Sequence, residues 1–270
     1  AEQCLSRTPD FLVACLRAFK KGEETVIRSE NNQSVLPQIT RYWDQRAQGY
    51  ALQVDDEFKE SLQDVYLPWF ESVVSEGSVL DVGCGPGFFS VLLAKAGFAV
   101  TAFDASAEML KKARERANVM GAYIDAVLGD AQILPFADNT FDCVCSRNLV
   151  WNLEMPQTAY REWLRVLKPG GILLIFDGNH YRYLFDERYA RIHKAWEERS
   201  DHQMLGVDAR VIDDIAARLP LSCRMRPDWD VKTLSELGAQ TQSTVLKTLA
   251  DPKTGEILVT DFVVRAVKAG

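Results

Sequence analysis

A glycine-rich turn preceded by an acidic residue is the segment of this sequence with the clearest capacity for chemistry. It reads Val79-Leu80-Asp81-Val82-Gly83-Cys84-Gly85-Pro86-Gly87. Glycines let a backbone turn sharply and approach a ligand closely, and dinucleotide-binding proteins use a related loop to seat a pyrophosphate at a helix N-terminus. Here the spacing is G-x-G-x-G, and Asp81 lies two positions before the first glycine. Because a carboxylate repels a pyrophosphate, Asp81 favours a ligand that carries a cationic ammonium group.

Two further acidic residues follow the next two predicted strands. Asp104 ends the second strand, where a carboxylate can accept hydrogen bonds from both ribose hydroxyls of a nucleoside. Nicotinamide enzymes use the same contact, so Asp104 indicates an adenosine-containing ligand and not a particular reaction. Asp130 follows the third strand in the turn Gly129-Asp130-Ala131-Gln132.

In this order, the three segments resemble the donor-binding motifs of the class I S-adenosylmethionine-dependent methyltransferases. The resemblance covers residues 40–178 well and the C-terminal hairpin loosely, and it implies S-adenosylmethionine as the cofactor. It also implies that Asp130 accepts from the adenine amino group and that the Ala131 amide donates to the ring. The expected donor-binding residues are Asp81, Gly83, Cys84, Gly85, Gly87, Asp104, Ala105, Asp130, Ala131, Gln132, Arg147, Tyr42, Arg46 and Tyr50.

An aromatic segment upstream of the glycine turn resembles the N-terminal helix that closes over the donor in many members with small-molecule substrates. It reads Tyr42-Trp43-Asp44-x-Arg46-Ala47-x-x-Tyr50. Trp43 and Tyr50 would cover the sulfonium, whose positive charge favours aromatic faces. The alternative is that these rings only pack the helix against the sheet.

The predicted catalytic residues are Arg147, Asn148 and His180. Arg147 and Asn148 end the fourth strand, which in the family faces the reacting methyl group. His180 follows the fifth strand as a substrate contact or a general base; the alternative is a histidine in a surface loop. The motif Asn/Asp-Pro-Pro-Tyr is absent after the fourth strand, which argues against methylation of adenine N6 or of glutamine.

The elements that must position these residues alternate between strand and helix. Residues 38–75 are predicted to be helical. Strands are predicted over 78–82, 98–103, 123–128, 142–146 and 172–176, and a hairpin over 240–249 and 258–268 closes the chain. The pattern predicts an α/β fold: a Rossmann-like, doubly wound, seven-stranded, mostly parallel sheet with a C-terminal antiparallel hairpin and a helical cap insertion. Ligands of such sheets bind at the carboxyl ends of the strands.

Three segments are expected to differ in role. Residues 1–37 form an N-terminal extension, and 38–270 form the methyltransferase domain, within which 180–228 is the substrate cap. Aromatic residues of the cap are expected to wall the acceptor pocket, with His180, Arg182 and Arg188 as polar anchors. The aromatic residues are Tyr181, Tyr183, Phe185, Tyr189 and Trp196. Alternatively, they form the cap's own core or a dimer contact.

The composition of the chain argues against several classes of partner. The net charge of the 270 residues is −7, with no Lys/Arg run longer than two, so nucleic acid is not expected as the main partner. No apolar stretch approaches 18 residues, so no membrane span is expected. The six cysteines lack the spacing of a zinc site, no metal is expected, and reduced thiols favour a cytoplasmic location. The sequence is compatible with a homodimer.

The sequence therefore predicts an S-adenosylmethionine-dependent methyltransferase that acts on a small-molecule acceptor, with the acceptor atom (O, N, S or C) undetermined. One alternative is a catalytically inactive, methyltransferase-like domain that binds S-adenosylmethionine. The other is a nicotinamide-dependent oxidoreductase, which Asp81 and the glycine spacing disfavour.

Overall fold

A seven-stranded sheet forms the centre of the computed structural model, which describes residues 34–71, 77–197 and 204–270. The strand order is β3-β2-β1-β4-β5-β7-β6, and β7 runs antiparallel to the other six. The strands are β1 (Ser78–Val82), β2 (Ala99–Asp104), β3 (Asp125–Leu128), β4 (Phe141–Arg147), β5 (Leu167–Gly178), β6 (Gln240–Ala250) and β7 (Ile257–Val267). The predicted Rossmann-like sheet with its C-terminal hairpin is confirmed.

Helices flank the sheet and connect its parallel strands. They are α1 (Leu36–Lys59), α2 (Gln63–Tyr66), α3 (Phe88–Lys95), α4 (Ala107–Met120), α5 (Pro156–Val166), α6 (Glu187–Glu197), α7 (Arg210–Ala216) and α8 (Asp228–Glu236). Short 3-10 turns cover Leu67–Phe70, Val150–Asn152 and Arg182–Leu184. None of the helices in these described ranges is long and apolar enough to cross a membrane.

Both faces of the central strands are buried, as expected for a parallel sheet covered by helices. One face packs Leu80, Val144 and Leu173 against Trp163 of α5. The other face packs Val79, Cys143 and Leu174 in a cluster that includes aromatic rings from α3. The free thiols of Cys143 and Cys145 are fully buried, so they act as small apolar side chains.

The structure differs from the predicted elements in two places. The helical stretch predicted over 38–75 is divided within its described part, because Ser61 adopts a left-handed backbone and Pro68 starts a new turn. The fifth strand begins at Leu167, five residues earlier than predicted, and a register shift between Phe141 and Cys143 accommodates the extra pairing. Most of the predicted 1–37 extension lies outside the described residues, and α1 begins at Leu36.

The residues that follow β5 form the predicted cap region. They include α6 and α7, and the chain returns through α8 to the hairpin β6–β7. Aromatic contacts join this region to α1, since the ring centroids of Trp151 and Tyr181 lie 4.3 Å apart and those of Trp43 and Trp151 lie 6.4 Å apart. The cap thus lies over the carboxyl edge of the sheet, where the predicted site residues also lie.

Candidate active site

A cavity of about 960 Å³ lies at the carboxyl edge of the sheet, bounded by α1, the strand ends, the cap and the hairpin. It brings together nearly all of the predicted site residues. Those that line it are Asp81, Gly83, Cys84, Gly85, Asp104, Ala105, Asp130, Ala131, Arg147, Asn148, His180, Tyr42, Arg46 and Tyr50. Gly87 and Gln132 do not line it.

The glycine turn is held against the end of β2 by its own backbone. The amides of Gly83 and Cys84 both donate to the carbonyl of Phe103, at 2.7 and 3.1 Å. Gly83 and Gly85 adopt left-handed φ values of 67° and 53°, which only glycine adopts without strain. The sharp turn exposes the backbone of Gly85 to the cavity, beneath the ring of Tyr50.

Asp104 is fastened from both sides. Its Oδ2 accepts from the Gly85 amide at 2.8 Å, and its Oδ1 accepts from the Ser106 amide at 2.8 Å. A carboxylate offers about four lone-pair positions, so each oxygen retains capacity for one ligand hydroxyl. Burial raises the pKa of Asp104 to about 6, although the hydrogen bonds from Ser106 and Gly85 oppose that rise.

Asp81 lies at the floor of the cavity and is 2% exposed. Ser90 Oγ donates to its Oδ2 at 2.5 Å, and the Cys145 thiol lies 3.9 Å from its Oδ1. Burial raises the pKa of Asp81 to about 6, and the charge of Asp104 adds to the rise. Two buried carboxylates that disfavour each other's charge are stabilised by a cation, so this floor suits a positively charged ligand.

The third motif divides into a cavity part and a structural part. Within the described residues, the Ala131 amide makes no hydrogen bond, so it is available to a ligand. Gln132 is buried outside the cavity: it donates to Asp130 from its amide and side chain, and its Oε1 accepts from the Met155 amide at 2.6 Å. Gln132 therefore orients Asp130 and does not face the predicted donor position, contrary to expectation.

Gly87 is also structural. A Cβ built on it would lie 2.9 Å from Cβ of Ala113 on α4, and its φ is 88°. The absence of a side chain therefore allows α4 to pack against the turn. This is a different use of glycine from the close ligand approach that the sequence suggested.

Arg147 is held at the end of β4 by a carboxylate that sequence reasoning missed. Its Nη2 donates to both oxygens of Glu57 on α1, at 2.6 and 2.7 Å, and its guanidinium lies 4.4 Å from the ring centroid of Phe88. Nη1 is buried with no hydrogen-bond partner among the described residues. An unpaired buried donor is costly, so Nη1 is suited to an acceptor oxygen of a ligand.

An aromatic wall, formed by Trp43, Tyr50, Trp151 and Tyr181, crosses the middle of the cavity. The ring centroids of Trp43 and Tyr50 lie 5.8 Å apart, and Trp151 is fixed by donation from Nε1 to the carbonyl of Asn148 at 2.9 Å. The wall joins α1 to the cap. The faces of these rings can bind a cation between the donor motifs and His180.

His180 lies at the other end of the cavity, beside two oxygen atoms. Its Nε2 is 3.1 Å from Oδ1 of Asn148 and 3.5 Å from Oδ1 of Asp177. Asp177 is the next-to-last residue of β5, and its side chain is fully buried. An acidic residue directly after the apolar run 172–176 was the signal in the sequence that could have identified it.

The cap contributes part of what was expected of it. Tyr181, Tyr183 and Tyr189 line the cavity, together with His193, whose ring stacks on Tyr183 at 3.6 Å. The other expected contributors, Phe185, Arg182 and Arg188, do not line it, and both arginines are bound to Asp186. The side chain of Trp196 lies outside the described residues. Residues of the hairpin were missed entirely: Lys247, Leu249, Thr260 and Asp261 complete the wall.

Helix α1 is fastened across the donor end by polar contacts. Ser106 Oγ donates to Asp44 at 2.5 Å, and Arg116 donates to Asp55 at 2.7 Å. Arg116 also donates to carbonyls of α1 and of the glycine turn. These contacts hold Trp43 and Tyr50 over the glycine turn.

Comparison with known proteins agrees with this geometry. Residues 80–175, which span the glycine turn and strands β2 to β5, match the family model described as "Methyltransferase domain". The match places a methyltransferase domain in the central part of the chain. The resemblance stated from the sequence is therefore confirmed, and S-adenosylmethionine is the cofactor of such domains.

Two curated relatives match the central part of the chain. Demethylmenaquinone methyltransferase of Renibacterium salmoninarum is 40% identical over 127 residues, which are 45% of this chain and 52% of the relative. A ubiquinone/menaquinone biosynthesis C-methyltransferase of Roseobacter denitrificans is 34% identical over 163 residues, 58% of this chain and 63% of the relative. The chain thus spans less than two thirds of the length of these relatives.

Solved structures share the fold of this chain. A structure from Methanococcus maripaludis superposes with a TM-score of 0.57 at 22% identity, covering 90% of this chain and 98% of the other. An S-adenosylmethionine-dependent methyltransferase from Methanosarcina mazei superposes with a TM-score of 0.52 at 22% identity, covering 75% and 97%. At this level of identity the likeness establishes the fold alone.

Proposed function

We propose that this chain transfers the methyl group of S-adenosylmethionine to a small-molecule acceptor bound between the sheet edge and the cap. The observation that carries the proposal is that one cavity holds both halves of such a reaction. Asp81 and Asp104 line its donor end, and Asn148 and His180 line its acceptor end. A large pocket with apolar walls and a few convergent polar groups is the usual form of a small-ligand site.

Each chemical group of the proposed cofactor has a matching residue at the donor end of the cavity. Asp104 would accept from the ribose hydroxyls, and Asp81 would attract the ammonium group. The unpaired amide of Ala131 would donate to the adenine, beside Asp130. Arg147 Nη1, buried and unpaired, would donate to the carboxylate of the methionine part. Trp43 and Tyr50 would cover the sulfonium.

Bound S-adenosylmethionine supplies a methyl group that is already activated for displacement, so the tasks of the protein are alignment and exclusion of water. The aromatic wall excludes water from the middle of the cavity. Asn148 and His180 bind the acceptor and orient its reacting atom. Where the acceptor arrives protonated, His180 takes the proton.

A hydroxylated ring is the acceptor class that we favour. The named functions of the curated relatives concern menaquinone and ubiquinone methylation, in one case at carbon. In this chain, Tyr183, Tyr189 and Leu249 give the acceptor end apolar and aromatic walls. The net charge of −7 and the carboxylates around the cavity disfavour a nucleic acid, whose phosphates would be repelled.

Methyl transfer can be tested with S-adenosylmethionine labelled in the methyl group and a panel of ring acceptors: phenols, catechols and reduced quinones, with the corresponding anilines and thiophenols. We expect label to enter at least one hydroxylated ring, and product spectroscopy to separate C-methylation from O-methylation. Label in none of the panel, with donor binding intact, would favour an inactive donor-binding domain. Binding of NAD that is equal to or tighter than binding of S-adenosylmethionine would contradict the proposal outright.

A further inference from the structure

A chain of buried charges lies behind His180. Asp177 Oδ2 accepts from Nη1 of Arg226 at 2.7 Å and from the Trp151 amide at 3.3 Å. Arg226 also donates to both oxygens of Asp230, and the hydroxyl of Tyr160 donates to Asp230 in turn. The side chains of Asp177, Arg226 and Asp230 are at most 1% exposed. Burying three charges is expensive unless each is fixed by partners.

This chain of charges links two parts of the site. Asp177 belongs to β5, whereas Arg226 lies at the end of the cap region, two residues before α8. The amide of Asn179 adds a second link, since its Nδ2 donates to the Arg226 carbonyl and its Oδ1 accepts from the Arg226 amide. The carboxylate beside His180 is therefore fixed by the segment that closes the cap.

We propose that Asp177, held by Arg226, is a positioning residue that keeps the neutral His180 ring protonated on Nε2, so that Nδ1 is the atom that accepts the acceptor's proton. The proposal rests on the proposed function for its chemical consequence, but its structural content is independent of turnover. It assigns roles to Asp177 and Arg226, for which the site had none.

The direction of the tautomer follows from the partners of each nitrogen. Nε2 faces the carboxylate of Asp177, which when ionised can only accept, and Oδ1 of Asn148. Both neighbours are satisfied at once only by a proton on Nε2. Nδ1 has no hydrogen-bond partner among the described residues, and His180 lines the cavity. The lone pair of the neutral ring is thus left for the substrate.

A base of this kind defines the acceptor more narrowly. The reacting group must carry a hydrogen that imidazole can remove, as a phenol or an enol does. In the simplest case the acceptor oxygen forms a bond to the methyl carbon as the carbon–sulfur bond breaks with its electron pair kept by sulfur. The hydroxyl proton moves to Nδ1, and the resulting imidazolium is stabilised by the negative charge of Asp177.

Asp177→Asn is the sharpest perturbation because Arg226 decides how the new amide is oriented. The guanidinium and the Trp151 amide both donate toward the Oδ2 position, whereas the Gly178 amide alone donates to Oδ1 at 2.8 Å. The charged donor decides the orientation, so the amide oxygen takes the Oδ2 position and the amide NH₂ faces His180. Nε2 then accepts from this NH₂ as the Asn148 amide turns its own NH₂ toward the ring, and the proton moves to Nδ1. In Ser-His-Asp triads the equivalent replacement costs about 10⁴ in kcat through the wrong tautomer.

The tautomer is measured directly by long-range ¹H–¹⁵N correlation of the imidazoles. The chain has only three histidines, so His180→Gln identifies the signals of His180 by their loss. We expect the neutral His180 of the unaltered protein to carry its proton on Nε2, and that of Asp177→Asn to carry it on Nδ1. Tyr160→Phe is the matched control: it removes the outermost hydrogen bond of the chain of charges and should leave the tautomer unchanged.

Kinetics supply the second readout. We expect Asp177→Asn to lower kcat by about 10³- to 10⁴-fold, with KM and donor affinity within about 2-fold, whereas Tyr160→Phe stays near the unaltered rate. An Nδ1-protonated His180 in the unaltered protein overturns the proposal, as does an Nε2 proton that persists in a folded Asp177→Asn. The expected tautomers without methyl transfer to any acceptor would uphold the positioning role and reject the proposed function instead.

Discussion

Donor affinity should fall steeply as the pH is lowered from 7 to 5, because the two carboxylates of the donor site must be ionised to bind a cation. Burial raises the pKa values of Asp81 and Asp104 to about 6. At pH 5 each group is ionised in about one molecule in eleven. If binding requires one of them ionised, the affinity drops about 10-fold, or about 1.4 kcal/mol; if it requires both, about 100-fold.

Calorimetry with S-adenosylmethionine at pH 5, 6, 7 and 8, in buffers of different ionisation enthalpy, measures both the affinity and the protons released. We expect proton release on binding below pH 6 and none at pH 8. Asp104→Asn should bind more weakly throughout and lose part of the pH dependence, and Asp130→Asn should keep all of it. An affinity that is flat between pH 5 and 7 would refute this reasoning.

Folding stability of the donor-free protein should respond in the opposite direction. The folded pKa of these two carboxyls lies above the unfolded value, so their contribution to stability is complete below about pH 4 and is lost as the pH rises through about 6. For these two groups, the free energy of unfolding should therefore fall between pH 5 and 7. Saturating donor should reverse the trend, which thermal melts with and without donor would detect.

Three other perturbations follow from single contacts. Gly87→Ala should lower the free energy of unfolding by about 2 to 4 kcal/mol, because the new side chain is strained in the left-handed region and clashes with Ala113. Gly97→Ala is the control: φ is 96° but the space is open, so only the backbone strain of about 1 kcal/mol is expected. Equal urea midpoints for the two variants would contradict this prediction. Glu57→Gln should weaken donor binding and lower the melting temperature, because Arg147 loses its carboxylate in a largely buried position; unchanged calorimetry and melting would show that the pair is dispensable. The hydrogen bond from Arg188 lowers the pKa of Asp186 to about 2. The ionised Asp186 therefore stabilises the fold above about pH 4, and this contribution is lost between pH 4 and pH 2. Asp186→Asn should flatten the acid-unfolding curve between these pH values, and a curve like that of the unaltered protein would exclude this role.

The sheet and its donor motifs were readable from the sequence because they depend on local patterns. Three kinds of pattern can be recognised within ten residues of sequence: apolar runs of strand length, a left-handed glycine turn and acidic residues at strand ends. The positions of Asp81, Asp104 and Asp130 followed directly from these marks. Their roles toward a bound donor remain predictions, as do the domain limits, the cytoplasmic location and a homodimer.

The rest of the site depends on pairs that are distant in the sequence. Glu57 and Arg147 are 90 residues apart, and Asp177 and Arg226 are 49 apart. Nothing in the local pattern of a surface-type helix marks Glu57 as the partner of a buried arginine. The same limit explains Gln132, which was assigned to the ligand by its place in a motif but is occupied by the Met155 amide.

The contacts that hold α1 have a consequence for the rate of the proposed methyl transfer. One wall of the cavity is made by this helix, and its ties to Ser106, Arg116 and Arg147 all lie at the donor end. Spent cofactor leaving on that side must break several charged contacts together. We therefore expect release of the spent cofactor, and not methyl transfer, to be rate-limiting. The first turnover should be rapid, and the slower steady-state rate should increase with salt concentration, because salt weakens the charged contacts of α1.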